Sequence, residues 1–168
     1  MAGYVDTHGQ SPWHFVTQAL LHALRAVTHS PTGKARGTLP FGFIGPIEKQ
    51  TLSNNYFREV LFTGKHAQLV VMCLQPSEEI GNEVHANVDQ FFRIEQGEAA
   101  FIFGGKEKHL VKDGDAVIVP AGTYHNVVNT SKTTKLKLYT IYSPPNHPDK
   151  TVHKTKAEAE KAEAEEHR

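Results

Sequence analysis

Apolar and polar positions follow two different periods along this chain. Trp13, Val16, Leu20, Leu24 and Val27 recur at intervals of three and four, the spacing that lines one face of a helix. Ser11-Pro12 supplies a cap and a first-turn proline, so one amphipathic helix is predicted over about 12–28, stopped by Ser30-Pro31-Thr32-Gly33. From about 55 to 143 the pattern becomes short alternating or continuous apolar runs, punctuated by Gly, Pro, Asn and Asp. Strands are predicted near 56–62, 67–74, 83–86, 90–95, 99–103, 107–111, 115–119, 124–129 and 135–142. Many short strands at close spacing point to an all-β sandwich or barrel. Beyond Ser143-Pro144-Pro145, Thr155-Lys156-Ala157-Glu158 reads as a capping box opening a terminal helix. Its only apolar residues are alanines, so it is expected to be solvated and frayed.

A length of 168 residues fits one core, divided as an extension over 1–47, a barrel over 48–146 and a charged tail over 147–168. Lys plus Arg and Asp plus Glu both number 18, so the basic excess of a phosphate-neutralising protein is missing and no nucleic-acid partner is expected. One helix cannot make a helix-turn-helix either. The longest apolar runs are a few residues, where a membrane-spanning helix needs about 20, so no membrane partner is expected. Cys73, the only cysteine, sits in the apolar run 69–74 and reads as a buried small hydrophobe in a reducing compartment. Residues 7–47 contain no carboxylate. That fits either a packing extension of a cytoplasmic protein or, as the alternative, a mitochondrial leader.

Two segments carry candidate chemistry. In 81–97, Glu83 and His85 are two apart, so on a strand they share a face. Four residues then leave room for a turn that returns Gln90 to the same interior. In 114–129, a tight Asp113-Gly114 turn leads through an apolar strand to Pro120-Ala121-Gly122, a chain reversal, and then to an inward His125. With Gln90 inward, Phe92 and Ile94 follow it while Arg93 and Glu95 point away. Phe101, Phe103, Leu138 and Tyr142 extend this apolar lining, and Tyr124 is expected at the pocket mouth. His66, His109, His147 and His153 lack ligand spacing and read as exposed or locally bonded histidines.

These residues resemble the cupin superfamily, the small double-stranded β-helix or jelly-roll barrels. The second cupin motif, Gly-x5-Pro-x-Gly-x2-His-x3-Asn, is met at every specified position by Gly114, Pro120, Gly122, His125 and Asn129. The first motif takes its register from Gln90-x6-Gly97 and places Glu83 and His85 at the two histidine positions, with Gln90 where a glutamate is usual. The set is thus two histidines, one carboxylate and one amide oxygen, suited to a divalent first-row metal with positions left open for a ligand. Iron or manganese is expected ahead of nickel, cobalt or zinc. Without a cation, burying Glu83 beside neutral polar groups costs several kcal/mol or forces its protonation.

The resemblance is to small single-domain cupins, including conserved-barrel type-2 and mannose-6-phosphate isomerase-like proteins. It implies metal-dependent binding or transformation of a small molecule inside the barrel, of dioxygenase, isomerase or lyase type, and a homodimer paired through edge strands. The alternative is a binding module that holds a sugar or metabolite without turnover. A metal-free scaffold acting through the charged tail is the third reading. No catalytic residue is assigned.

Overall fold

Alternation along the strands sorts side chains into an inner and an outer face, and the register between strands stacks the inner ones in rows. The computed structural model describes residues 42–166; the helix predicted over 12–28 lies outside them. The strands are β1 (Arg58–Thr63), β2 (Gln68–Leu74), β3 (Asp89–Gln96), β4 (Glu98–Phe103), β5 (Glu107–Lys112), β6 (Ala116–Val119), β7 (His125–Asn129), β8 (Leu136–Ser143) and β9 (Val152–His153). They form a six-stranded sheet in the order β6-β3-β8-β2-β1-β9 and a three-stranded sheet in the order β5-β4-β7. All pairings are antiparallel. The all-β architecture expected from the spacing of the runs is the one observed.

Across the large sheet, Gln68, Tyr142, Gln90 and Val119 are in register, then Val70, Thr140, Phe92 and Val117, then Met72, Leu138 and Ile94. The first row is mostly polar and the third wholly apolar. Phe101 and Val127 of the small sheet close over them, and Phe92 meets Phe101 edge to face at 5.0 Å. The core is therefore apolar at one side and carries polar groups at the other, buried groups that need partners.

The turns that set this register use glycine where no other residue fits. Gly97, between β3 and β4, has φ +91°, and a Cβ there would stand 3.0 Å from the Lys135 carbonyl oxygen. Asn129, buried at the end of β7, donates through Nδ2 to the carbonyls of Leu74, Gln75 and Thr134, while its Oδ1 accepts from Ser131 N–H.

Several expectations need correction. Residues 83–86 do not form a strand: Glu83 makes a single bridge to His125, and Glu79 another to Val128. Asn126 holds this segment in place, its Oδ1 accepting from Gly81 N–H and its Nδ2 donating to Glu79. A short helix, α1 (Ile47–Ser53), was not anticipated; seven residues are too few to show a period. It lies on the outer face of the large sheet, where the buried Lys137 donates from Nζ to the carbonyls of Leu52 and Asn54 at its C-terminal end. That is the end of a helix that favours a cation. Cys73 is buried, and burial pushes its thiol up, in keeping with an inert side chain.

The terminal helix, α2 (Lys156–Glu166), meets half of the capping box: Thr155 Oγ1 accepts from Glu158 N–H, whereas the Glu158 carboxylate accepts from Lys154 N–H, one residue before the cap. It is mostly solvated, as expected, but it is also seated. Ala159 is buried in the core, and Glu163 accepts from Arg58 at 2.8 Å. Ahead of it, β9 pairs with β1, so the sheet continues past residue 146.

Candidate metal centre

His125 opens β7, and its position follows from the turn before it. The Pro120-Ala121-Gly122 reversal has Gly122 at φ +77° with its N–H donating to the His85 carbonyl at 2.8 Å. Glu83 and His125 then exchange both backbone hydrogen bonds, at 2.8 and 2.9 Å. Two short links thus bring the separated segments side by side. The three side chains Glu83, His85 and His125 each present one donor atom, and those atoms all lie within 4.8 Å of one another.

The ring of His125 has one nitrogen committed and one waiting. Nδ1 lies 3.0 Å from the Thr123 carbonyl, which can only accept, so Nδ1 carries the proton. In the neutral ring Nε2 is then the lone-pair nitrogen, and a backbone carbonyl in this role is what orients metal-binding histidines. That Nε2 is buried without a hydrogen-bond partner and stands 4.0 Å from Glu83 Oε2. His85 Nε2 is 3.3 Å from the same oxygen. Glu83 and His85 are 20% and 15% exposed against 2% for His125, so the cluster opens to solvent on their side.

Gln90 faces the interior as expected and is fully buried. Its Nε2 donates to Thr140 Oγ1 at 3.2 Å, and its Oε1 has no hydrogen-bond partner. The amide therefore turns its only strong acceptor loose inside the barrel. Two buried acceptors without donors, His125 Nε2 and Gln90 Oε1, and a partly buried carboxylate are the chemistry a divalent cation satisfies; the residues present fit such a group.

Aromatic rings wall the cluster. Phe92 stands edge-on to His125 at 6.2 Å and Tyr142 edge-on to His85 at 5.7 Å. Burial, and then the charge of Glu83, hold the Tyr142 hydroxyl above its usual range, so at neutral pH it keeps its proton and can donate a hydrogen bond. Ile94, Phe101 and Leu138 lie deeper in the core, and Phe103 is half-buried against Phe101. Tyr124, expected at the pocket mouth, is 44% exposed and immediately precedes β7.

Two further residues, outside both motifs, lie close by. Arg58 is 2% exposed, with Nη2 at 3.9 Å from Glu83 Oε1. The signal for it was present: in the run 56–62 it shares parity with Val60, and an arginine on an apolar face is out of place. His147, expected to be exposed or locally bonded, has its ring packed edge-on to Tyr142 at 4.9 Å, with Nε2 buried and unpartnered. Burial, then the charges of Arg58, His85 and His153, lower its pKa to about 3. Gln68 fixes that loop, accepting from the N–H groups of Asn146 and His147 and donating to the His147 carbonyl. Nothing in the proline-rich stretch 143–148 announced it.

Compared with known families, residues 70–142 match the family described as Cupin domain. The uncharacterized protein YrkC of Bacillus subtilis is 53% identical over 129 residues, which are 74% of this chain and 69% of that protein. The uncharacterized protein L612 of Acanthamoeba polyphaga mimivirus is 44% identical over 108 residues, 63% of this chain and 68% of its own length. Among solved structures, the crystal structure of BH2720 from Bacillus halodurans superposes with a TM-score of 0.70 at 44% identity, covering 74% of this chain and 96% of that one.

Proposed function

This chain belongs to the cupin superfamily, and from that premise we propose that it holds a divalent first-row metal on Glu83, His85 and His125 and binds a small molecule beside it. Gln90 is proposed as the fourth donor through Oε1. The observation that carries the reading is the unpartnered, buried Nε2 of His125 facing the Glu83 carboxylate. Iron or manganese is proposed ahead of nickel, cobalt and zinc. When bound, such an ion supplies Lewis-acid polarisation of a carbonyl or hydroxyl, or a site for dioxygen. The chain's own contribution is positional: Thr123 orients His125, the Phe92 and Tyr142 rings limit water, and the Tyr142 hydroxyl offers a hydrogen bond.

The test is metal content of the full chain purified without added metal. Wild type is expected to carry close to one ion per chain, and His85→Ala and His125→Ala to lose it. Equal metal in all three overturns the site. A turnover screen with iron, manganese and nickel then separates a dioxygenase, isomerase or lyase from a module that binds without product. For assembly we propose the homodimer, read by light scattering, and for location the cytoplasm, with mitochondrial import the alternative. Among the described residues no helix is long and apolar enough to cross a membrane.

A further inference from the structure

Among the described residues Arg58 is the largest fully buried side chain, and its Nε is buried without a hydrogen-bond partner. It opens β1 opposite Met72, a core residue, and so points inward. Nη1 donates to Glu163 of α2 at 2.8 Å. Nε is buried with no acceptor, and Nη2 stands 3.9 Å from Glu83 Oε1, beyond hydrogen-bond reach. Nε–H and the outer hydrogen of Nη2 lie on one edge of the planar guanidinium, the edge that grips both oxygens of a carboxylate. A buried guanidinium with that edge bare is costly unless something fills it.

We propose that this edge of Arg58 is a carboxylate-binding site, taking the acid group of a small organic acid beside the Glu83–His85–His125 cluster. The inference rests on the metal reading above for its charge balance. Arg58, Glu83 and Glu163 together leave one negative charge in excess; a divalent ion turns that into one positive charge, and a single carboxylate cancels it. His147, whose buried Nε2 is also unpartnered, sits against Tyr142, which in turn touches His85, and adds a second polar contact on the same side. Glu163 is a positioning residue: it holds Nη1 and leaves the buried Nε without an acceptor.

The test is calorimetric titration of Mn2+-loaded full-length protein with acetate, pyruvate and benzoate, each against its amide, with metal content measured on the same samples. At least one acid is expected to bind tenfold or more above its amide. A bound metal also prefers an acid, so dependence on Arg58 decides the matter. Arg58→Met is expected to lose tenfold or more in that affinity while keeping its metal. Arg58→Lys keeps the buried charge without the fork and guards against a variant that fails to fold; it should lose several-fold. Arg58→Lys binding as well as wild type, or no acid binding above its amide, overturns the carboxylate site. If metal is nevertheless taken up, the metal centre stands; if none is taken up, both readings fall.

Discussion

At the scale of single residues, the first cupin motif is instructive because it is imperfect. Glu83 and Gln90 exchange the usual places of carboxylate and neutral donor, and both still reach the interior, Glu83 through its bridge to His125 and Gln90 through the pleat of β3. Gln90 was legible because period-two alternation from Phe92 and Ile94 fixes its face. Arg58 obeys the same parity, but a charged residue is expected outside, and its place in the core is settled only by the fold. Gln90→Glu tests the exchange. The variant puts a carboxylate next to Thr140 Oγ1, a single hydroxyl donor, and removes an amide hydrogen bond. Metal-stripped Gln90→Glu should therefore melt below metal-stripped wild type, by about 1–3 kcal/mol of stability. Loaded with Mn2+, it should retain the ion and recover that loss or more, since ligand bound only to the folded chain stabilises it. Loss of the ion would show that the amide itself is required. Thermal melts with and without chelator, with metal content, read both outcomes.

At the scale of elements, eight of the nine predicted strands are present, because each is bracketed by turn residues whose chemistry is local. The ninth, over 83–86, failed for a physical reason. Its register comes from Asn126 and from two bridges to β7, contacts more than 40 positions away along the chain. The seating of α2 was hidden likewise, since Ala159 and Glu163 are unremarkable in a run of alanines and glutamates until Arg58 is opposite. The second motif shows the converse. Its asparagine, Asn129, sends its side-chain hydrogen bonds to the carbonyls of Leu74, Gln75 and Thr134, tying them together at the end of β7. Asn129→Ala should accordingly destabilise the fold by about 2–4 kcal/mol, because buried carbonyls then lose their donor, while leaving metal stoichiometry at that of wild type under native conditions. Urea denaturation gives the first quantity and metal analysis the second. Metal loss in the folded variant would assign Asn129 to the centre rather than to the loop.

For the molecule as a whole, stability is divided between an apolar half, where Met72, Leu74, Ile94, Leu136 and Leu138 are sealed from solvent, and a polar half whose buried groups make it sensitive to pH. His147 carries a definite part of that sensitivity. In the unfolded chain its imidazole protonates near 6.5; in the folded chain burial and the charges of Arg58, His85 and His153 defer protonation to about 3. Between those values the unfolded state binds a proton that the folded state refuses, so folding stability falls as pH falls from 6.5 toward 3. Above 6.5 both states are neutral at this site and it adds no pH dependence. By pH 5 this one histidine should have withdrawn roughly 1–2 kcal/mol, before most carboxylates begin to titrate. His147→Gln removes the titrating group and keeps a polar side chain against Tyr142. Its melting temperature should thus decline less steeply than that of wild type between pH 7 and 5, with the two curves parallel above pH 7. Identical slopes in thermal melts across that window would place His147 in contact with water in the folded protein, and would open the wall of the barrel next to Tyr142.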